Sequence, residues 1–229
     1  MEHDIHIIQN LLNERELSMV TMVLSQLSFR DGSGTASDAA RAVKNNLQVP
    51  KSEDHLKQQI DGIVLQALSS NSYVQNNLLP YKVLPCLISK YEAGMYYGKH
   101  VDSPLMADPM VGIVRTDLAM TLFLTDASDY EGGELCLELK EGERQIKLNR
   151  GAAIIYPASV LHRVNTINSG QRIAIITWMQ CLIADIEKRQ LVAQLKTIQA
   201  QLEALDPKST EALSLLQVYS NLMKMWVEL

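Results

Sequence analysis

The sequence predicts a mainly β protein: an antiparallel barrel or jelly roll, with helices before it and a helical hairpin after it. Three observations predict this. Between residues 81 and 180 the chain breaks into short runs rich in β-branched residues, bounded by glycine, proline or acids. Before that stretch, apolar residues recur at helical spacing in two segments. After residue 180 they recur at three- and four-residue steps. The expected organisation is one domain over residues 1–180, N-terminal helices included, and a C-terminal helical hairpin over 181–229.

Taken in order, residues 5–8 are a short β-branched run and read as a strand. Asn13 followed by Glu16 fits a capping box, and Leu17, Val20, Met22, Val23, Leu24 and Leu27 form the apolar face of the helix it opens. Residues 30–36, with Gly32 and Gly34, read as a turn; local pattern leaves 43–48 unassigned. A second helix is expected over 53–68, capped by Ser52, with Leu56, Ile60, Ile63, Val64 and Ala67 at helical spacing. Residues 71–79 read as a loop or short turn. Strands follow at 83–91, 96–100, 116–124, 133–139, 144–148, 152–156, 160–164 and 172–179. In the third, Leu118, Met120 and Leu122 share a face. The prolines and Gly112 of residues 103–112 mark a loop, a lid over a site or a plain connection. Asp206-Pro207 ends the first tail helix and Ser209 opens the second. Their hairpin packs on the barrel or forms a contact between copies of the chain; both readings stand.

Composition narrows the function. Apolar residues make up 47% of the chain, enough for a sizeable core, and the net charge of -5 argues against binding a nucleic-acid backbone. Cys86, Cys136 and Cys181 are scattered and form no CxxC pair, so reduced buried thiols and a cytoplasmic setting are expected. The first ten residues carry acids in place of a basic leader, and no apolar run is long enough for a membrane span.

The chemistry-bearing residues are His100, Asp102, His162 and Arg172. His100 and Asp102 are two apart, so on an extended strand both side chains point one way. His162 lies on another expected strand that a barrel can bring opposite. Two imidazoles and one carboxylate leave coordination positions open, the set suited to non-haem Fe(II); zinc also accepts such ligands. The bland alternative is a surface pair at His100 and Asp102. Arg172 opens an apolar strand, where a guanidinium is costly unless it meets an anion such as the carboxylate of an acidic co-substrate. An exposed strand-end arginine is the alternative there.

These blocks resemble the bacterial PKHD-type hydroxylases, members of the Fe(II)- and 2-oxoglutarate-dependent dioxygenases related to prolyl hydroxylases. The matching residues are Val43-Lys44-Asn45-Asn46, Tyr91 through Tyr97-Gly98 to His100-Val101-Asp102, Arg115-Thr116-Asp117-Leu118 and Tyr130 with Gly132-Gly133-Glu134. Tyr156-Pro157, Leu161-His162-Arg163, Gly170, Arg172 and Trp178 continue the match, which reaches Tyr219 and Trp226 in the tail. The resemblance implies a double-stranded β-helix, a form of jelly roll. It implies His100, Asp102 and His162 as iron ligands and Arg172 as partner of the distal carboxylate of 2-oxoglutarate, with ascorbate as a reductant. It places Tyr91 and Tyr97 near the co-substrate, the alternative being core aromatics. Asn46 and Arg115 face the substrate or serve the scaffold, with Asp117 a candidate partner for Arg115. Gly132-Gly133 reads as a tight architectural turn. The implied activity is hydroxylation of an unactivated carbon by O2, with succinate and CO2 as products and the substrate unidentified. The competing readings are a non-catalytic iron or 2-oxoglutarate sensor acting through a protein partner, and a zinc hydrolase.

Overall fold

A computed structural model describes residues 5–35 and 38–228. The leader reading rests partly on residues 1–4 and the expected turn at 30–36 ends in Ala36; these lie outside the described residues. Two antiparallel sheets make the jelly roll. The larger runs His6–Ile8, Ala153–Pro157, Leu118–Phe123, Ile167–Cys181, Leu87–Glu92, Leu47–Gln48, Arg30–Asp31, and the long strand Ile167–Cys181 also pairs with Tyr130–Gly132 and Pro80–Val83. The smaller runs Gly142–Ile146, Leu135–Leu139, His162–Val164, Tyr96–His100, Lys44–Asn45.

Strand alternation divides the core in two. On Leu118–Phe123 every residue is buried. Leu118, Met120 and Leu122 face a cluster shared with Leu17, Val20, Ile60 and Val64 of the N-terminal helices. Ala119 and Phe123 face the interior between the sheets, with Leu135, Leu137, Ile146 and Val164 from the opposite sheet. A strand covered on both sides loses the polar half of its alternation, which is why this run reads as continuously apolar.

The helix Glu14–Leu24 is opened by the full Asn13–Glu16 capping box. The next long helix is Asp54–Ser70, and Ser52 does not cap it: Ser52 lies in a 3-10 turn, Lys51–Glu53, and Glu53 occupies the cap position without a side-chain bond to the helix. The Glu53 carboxylate instead accepts from the Ser28 amide at 2.8 Å and from its hydroxyl. Residues 83–91 divide into Pro80–Val83 and Leu87–Glu92 at Leu84-Pro85-Cys86, since proline has no N–H for a ladder. Within 71–79 a π-helical turn forms at Val74–Leu78. The stretch expected as a loop over 103–112 is the first part of a two-stranded hairpin, Leu105–Asp108 with Gly112–Arg115. Its turn closes because the Asp108 carboxylate accepts the amides of Met110 and Val111 at 2.9 and 3.1 Å, and Gly112 supplies a φ of 82°.

The C-terminal helices are Ile186–Leu205 and Thr210–Trp226, the second capped by Ser209. They pack on the barrel: Val192 is buried with Leu79 and Ile183, flanked by Tyr219, Met223 and Trp226. The three cysteines are buried, and none is in a disulfide. Among the described residues, no helix is long and apolar enough to cross a membrane.

Candidate metal centre

The strand Tyr96–His100 carries a bulge where it meets His162–Val164. His162 pairs with His100 and Val164 with Tyr97, so two residues on one strand oppose one on the other. In an unbroken strand Tyr97 and His100 point to opposite faces; the extra residue turns both inward, and their rings stack at 3.7 Å. Gly98 sits in the bulge. Its carbonyl meets His100 Nδ1 at 2.8 Å, and a Cβ at this position stands 2.7 Å from Val43 Cβ.

His162 comes to the same place by direct pairing, ring centroids 4.2 Å from those of His100. Its Nδ1 meets the Val160 carbonyl at 2.9 Å. A carbonyl only accepts, so both histidines carry their proton on Nδ1 and present the Nε2 lone pair. Burial, followed by the neighbouring His162, lowers the His100 pKa to about 4, which keeps its imidazole neutral near pH 7. Asp102 lies just past the strand end. Its Oδ1 is 4.0 Å from His100 Nε2 and 3.9 Å from His162 Nε2. Its Oδ2 accepts Trp178 Nε1–H at 2.9 Å, which fixes the carboxylate with Oδ1 toward the histidines. Burial raises the Asp102 pKa, opposed by His162, Trp178 and Lys44.

One donor atom from each of His100, Asp102 and His162 lies within 4.8 Å of the others. The set fits a divalent cation: two imidazoles presenting Nε2 and a carboxylate give three nitrogen and oxygen donors, a set that leaves further coordination positions open. The three line a cavity of about 520 Å³ with Tyr91, Tyr97 and Arg172.

Arg172 is 1% exposed. It lies opposite Tyr91 in the ladder, and its guanidinium is 5.3 Å from the Tyr91 ring centroid and 5.1 Å from that of Phe123. Its Nε has no hydrogen-bond partner, and neither has the buried hydroxyl of Tyr130. Burial raises the Tyr130 pKa and the adjacent Arg172 charge lowers it. Gly133, at φ 68°, leaves room for this pair: a Cβ there is 3.0 Å from Tyr130 Cε2 and 3.2 Å from Arg172 Cδ. A buried cation with unmet donors calls for an anion, and a guanidinium fork suits a carboxylate. The cavity thus offers a metal set and a carboxylate anchor, which fits a chelating keto acid.

The expected residues are brought together. Tyr91 is both core aromatic and cavity wall; Tyr97 is half-buried against His100. Arg115 does not reach the cavity: its Nε donates to Asp117 Oδ1 at 2.7 Å and its Nη1 to Glu228 Oε2 at 2.5 Å. Asn46 is 2% exposed beside Tyr91, whose pKa burial raises and the Arg172 charge, then the Asn46 side chain, lower. Trp178 and Tyr130 carry roles that sequence reasoning missed. Arg172 and Trp178 are six apart on one strand and so share a face, the signal that could have found Trp178.

A family model described as 2OG-Fe(II) oxygenase superfamily matches residues 86–180. A PKHD-type hydroxylase of Synechococcus sp. is 41% identical over 222 residues, covering 97% of this chain and 98% of its own length. Another from Crocosphaera subtropica is 36% identical, covering 96% and 98%. Among solved structures, a Pseudomonas putida prolyl-4-hydroxylase superposes with a TM-score of 0.52 at 16% identity, covering 78% of this chain and 93% of that one. A Trichoplax adhaerens prolyl hydroxylase in complex with a hypoxia inducible factor peptide fragment gives 0.54 at 16% identity, covering 82% and 86%. At these identities the structural likeness speaks for the fold.

Proposed function

The chain belongs to the PKHD-type hydroxylases and is an Fe(II)- and 2-oxoglutarate-dependent dioxygenase; from that premise we propose which residues do the work. His100, Asp102 and His162 hold Fe(II), and Arg172 binds the distal carboxylate of 2-oxoglutarate. The observation that carries this assignment is the three-donor set sharing one cavity with a buried, incompletely partnered arginine. When bound, iron and 2-oxoglutarate supply the oxidising chemistry: O2 is consumed, 2-oxoglutarate becomes succinate and CO2, and a substrate C–H becomes C–OH.

The chain's residues supply placement. The Gly98 and Val160 carbonyls hold the imidazoles in the donor tautomer, and Trp178 holds the carboxylate. Tyr91 and Phe123 flank the guanidinium, and Tyr130 offers it a second polar partner for the anion. Burial raises the pKa of Tyr91 and of Tyr97, so both hydroxyls stay protonated donors at the cavity wall. The substrate is a prolyl- or lysyl-type side chain, as the family name suggests, or a small molecule. Ascorbate serves as the reductant that restores Fe(II).

The remaining assignments rest on composition and surface. The charge of -5 supports a substrate other than nucleic acid, and three buried thiols outside any disulfide support a cytoplasmic setting. Residues 181–229 form an appendage whose exposed Leu213, Leu216 and Met225 suit contact with a second copy.

An anaerobic titration of metal-free protein with Fe(II) and 2-oxoglutarate tests the assignment. The expected result is a weak visible charge-transfer band that needs both additions and is lost in His100→Ala. A band that persists in His100→Ala removes that ligand; a band without succinate release from any candidate substrate turns the reading toward a sensor.

A further inference from the structure

The strand Leu105–Asp108 has an open side. Among the described residues it pairs with Gly112–Arg115 and with no other strand. That pairing fixes which backbone groups are left over. The Thr116 N–H donates to the Pro104 carbonyl at 3.1 Å, one step outside the Leu105–Arg115 pair. Bonded and non-bonded pairs alternate along an antiparallel ladder, so Met106 and Asp108 bond the partner strand while Leu105 and Ala107 turn their amides and carbonyls outward. The Leu105 carbonyl accepts the Ser103 hydroxyl at 2.8 Å. Among the described residues, that leaves the Leu105 amide and both backbone groups of Ala107 as an open edge.

The edge borders the metal cavity. Met106, Ala107 and Asp108 line it, and the partner strand does not. Asp102 of the metal set precedes Leu105 by three residues, so at most about 11 Å of chain separates the donor from the edge. Proteins blunt an exposed edge with lysine or with a proline inside the strand; Leu105–Asp108 carries neither, and Pro104 and Pro109 only bracket it. Its two faces differ: Met106 is half-buried on the cavity side, while Leu105 and Ile113, which stands opposite Ala107, are exposed on the other.

We propose that this edge takes up the substrate as an added strand: an extended polypeptide segment whose backbone pairs with Ala107 and Leu105. The inference rests on the hydroxylase reading and narrows its substrate to one with consecutive backbone amides, which a small metabolite lacks. Alternate side chains of the guest then project with Met106 into the cavity, where one meets the metal set. Those between them lie with Leu105 on the exposed apolar face.

The test uses the intact chain loaded anaerobically with Fe(II) and 2-oxoglutarate. The charge-transfer band is recorded first; its absence defeats the hydroxylase reading itself, independently of the edge. The probe is an acetylated and amidated pentapeptide of alternating threonine and valine. Its twin is N-methylated at the three central amides, which removes the donors from both of its edges. Hydrogen exchange is followed by mass spectrometry. We expect the unmodified peptide to slow exchange over residues 105–108 fivefold or more, the methylated twin less than twofold, and neither to change the buried strand Leu118–Phe123. Calorimetric affinity for the unmodified peptide should fall at least tenfold in Ala107→Pro, which removes an outward N–H that the hairpin ladder does not use, and hold in Ala107→Val. Unchanged exchange with the peptide, equal slowing by the methylated twin, or full affinity in Ala107→Pro overturns the proposal. Slowing that arises without peptide as protein concentration rises assigns the edge to a second copy of the chain and overturns it as well.

Discussion

His100 and His162 are cross-strand partners, and their rings meet at 4.2 Å although the two residues are far apart in sequence. Each is held by the carbonyl two residues before it, Gly98 for His100 and Val160 for His162. The pair is therefore set by backbone on both sides. Only the third donor, Asp102, is positioned by a side chain, the indole of Trp178.

That difference makes Trp178 the place to perturb the centre without touching a donor. Trp178→Phe keeps the ring and removes the N–H. Loss of an outer partner of this kind typically weakens metal affinity about 10–100-fold. The expected result is weaker Fe(II) binding by anaerobic titration, with 2-oxoglutarate affinity at saturating metal changed by less than about threefold. Unchanged metal affinity would show that Asp102 is held by packing alone.

Arg172 lines the same cavity as the metal set, with Tyr130 beside it. Truncating one member of a buried charge pair costs about 2–5 kcal/mol, so Arg172→Ala should raise the 2-oxoglutarate Kd at least about 30-fold. Arg172→Lys should recover little of this, since an ammonium lacks the planar fork. Tyr130→Phe should give a smaller loss, on the order of 1 kcal/mol, or about fivefold. The charge-transfer titration reads all three, and a Tyr130→Phe protein with full affinity would remove that hydroxyl from the anchor.

Much of this centre was legible in the sequence. His100 and Asp102 at a two-residue spacing, His162 on a separate apolar strand and an arginine opening another gave the donors and the anchor. The bulge was not legible, because a period-two reading puts Tyr97 and His100 on opposite faces, and only pairing with His162–Val164 reveals the added residue. The hairpin Leu105–Arg115 was hidden by its own turn chemistry, Asp108 and Gly112 marking a loop until the two strands are seen to pair. Tyr130 reaches Arg172 only through tertiary packing. The Ser52 cap failed because a 3-10 turn moved the helix start, a shift that cap residues alone do not encode.

The hairpin beside the cavity is tied to the C-terminal tail. Arg115 bonds Asp117 and Glu228 at once, and Asp117 Oδ2 accepts the Cys181 amide at 2.8 Å. Met106 and Asp108 of the same hairpin line the cavity. Glu228→Gln should therefore loosen the hairpin more than the core. Hydrogen exchange should rise at least about threefold over residues 105–115 and stay constant over the buried strand Leu118–Phe123. Equal exchange in both proteins would make the Arg115–Glu228 contact incidental.

Asn46 and Gly32 form one arrangement behind Tyr91. The Asn46 carboxamide is buried close enough to Tyr91 to lower its pKa, though short of full hydrogen-bond geometry to any protein group. It fits only because residue 32 lacks a side chain: a Cβ there stands 2.2 Å from Asn46 Oδ1. Asn46→Ala removes the amide from Tyr91, and Gly32→Ala displaces it. Both should loosen the tyrosine wall beside Arg172 and weaken 2-oxoglutarate about threefold to tenfold, on the order of 1 kcal/mol. Because they act on the same contact, the double variant should lose no more than the larger single loss, a coupling that independent sites lack. Fe(II) affinity without co-substrate should hold in all three proteins. Additive losses, or a fall in metal affinity of the same size, would make both substitutions general disturbances of the fold and remove Asn46 from the support of Tyr91.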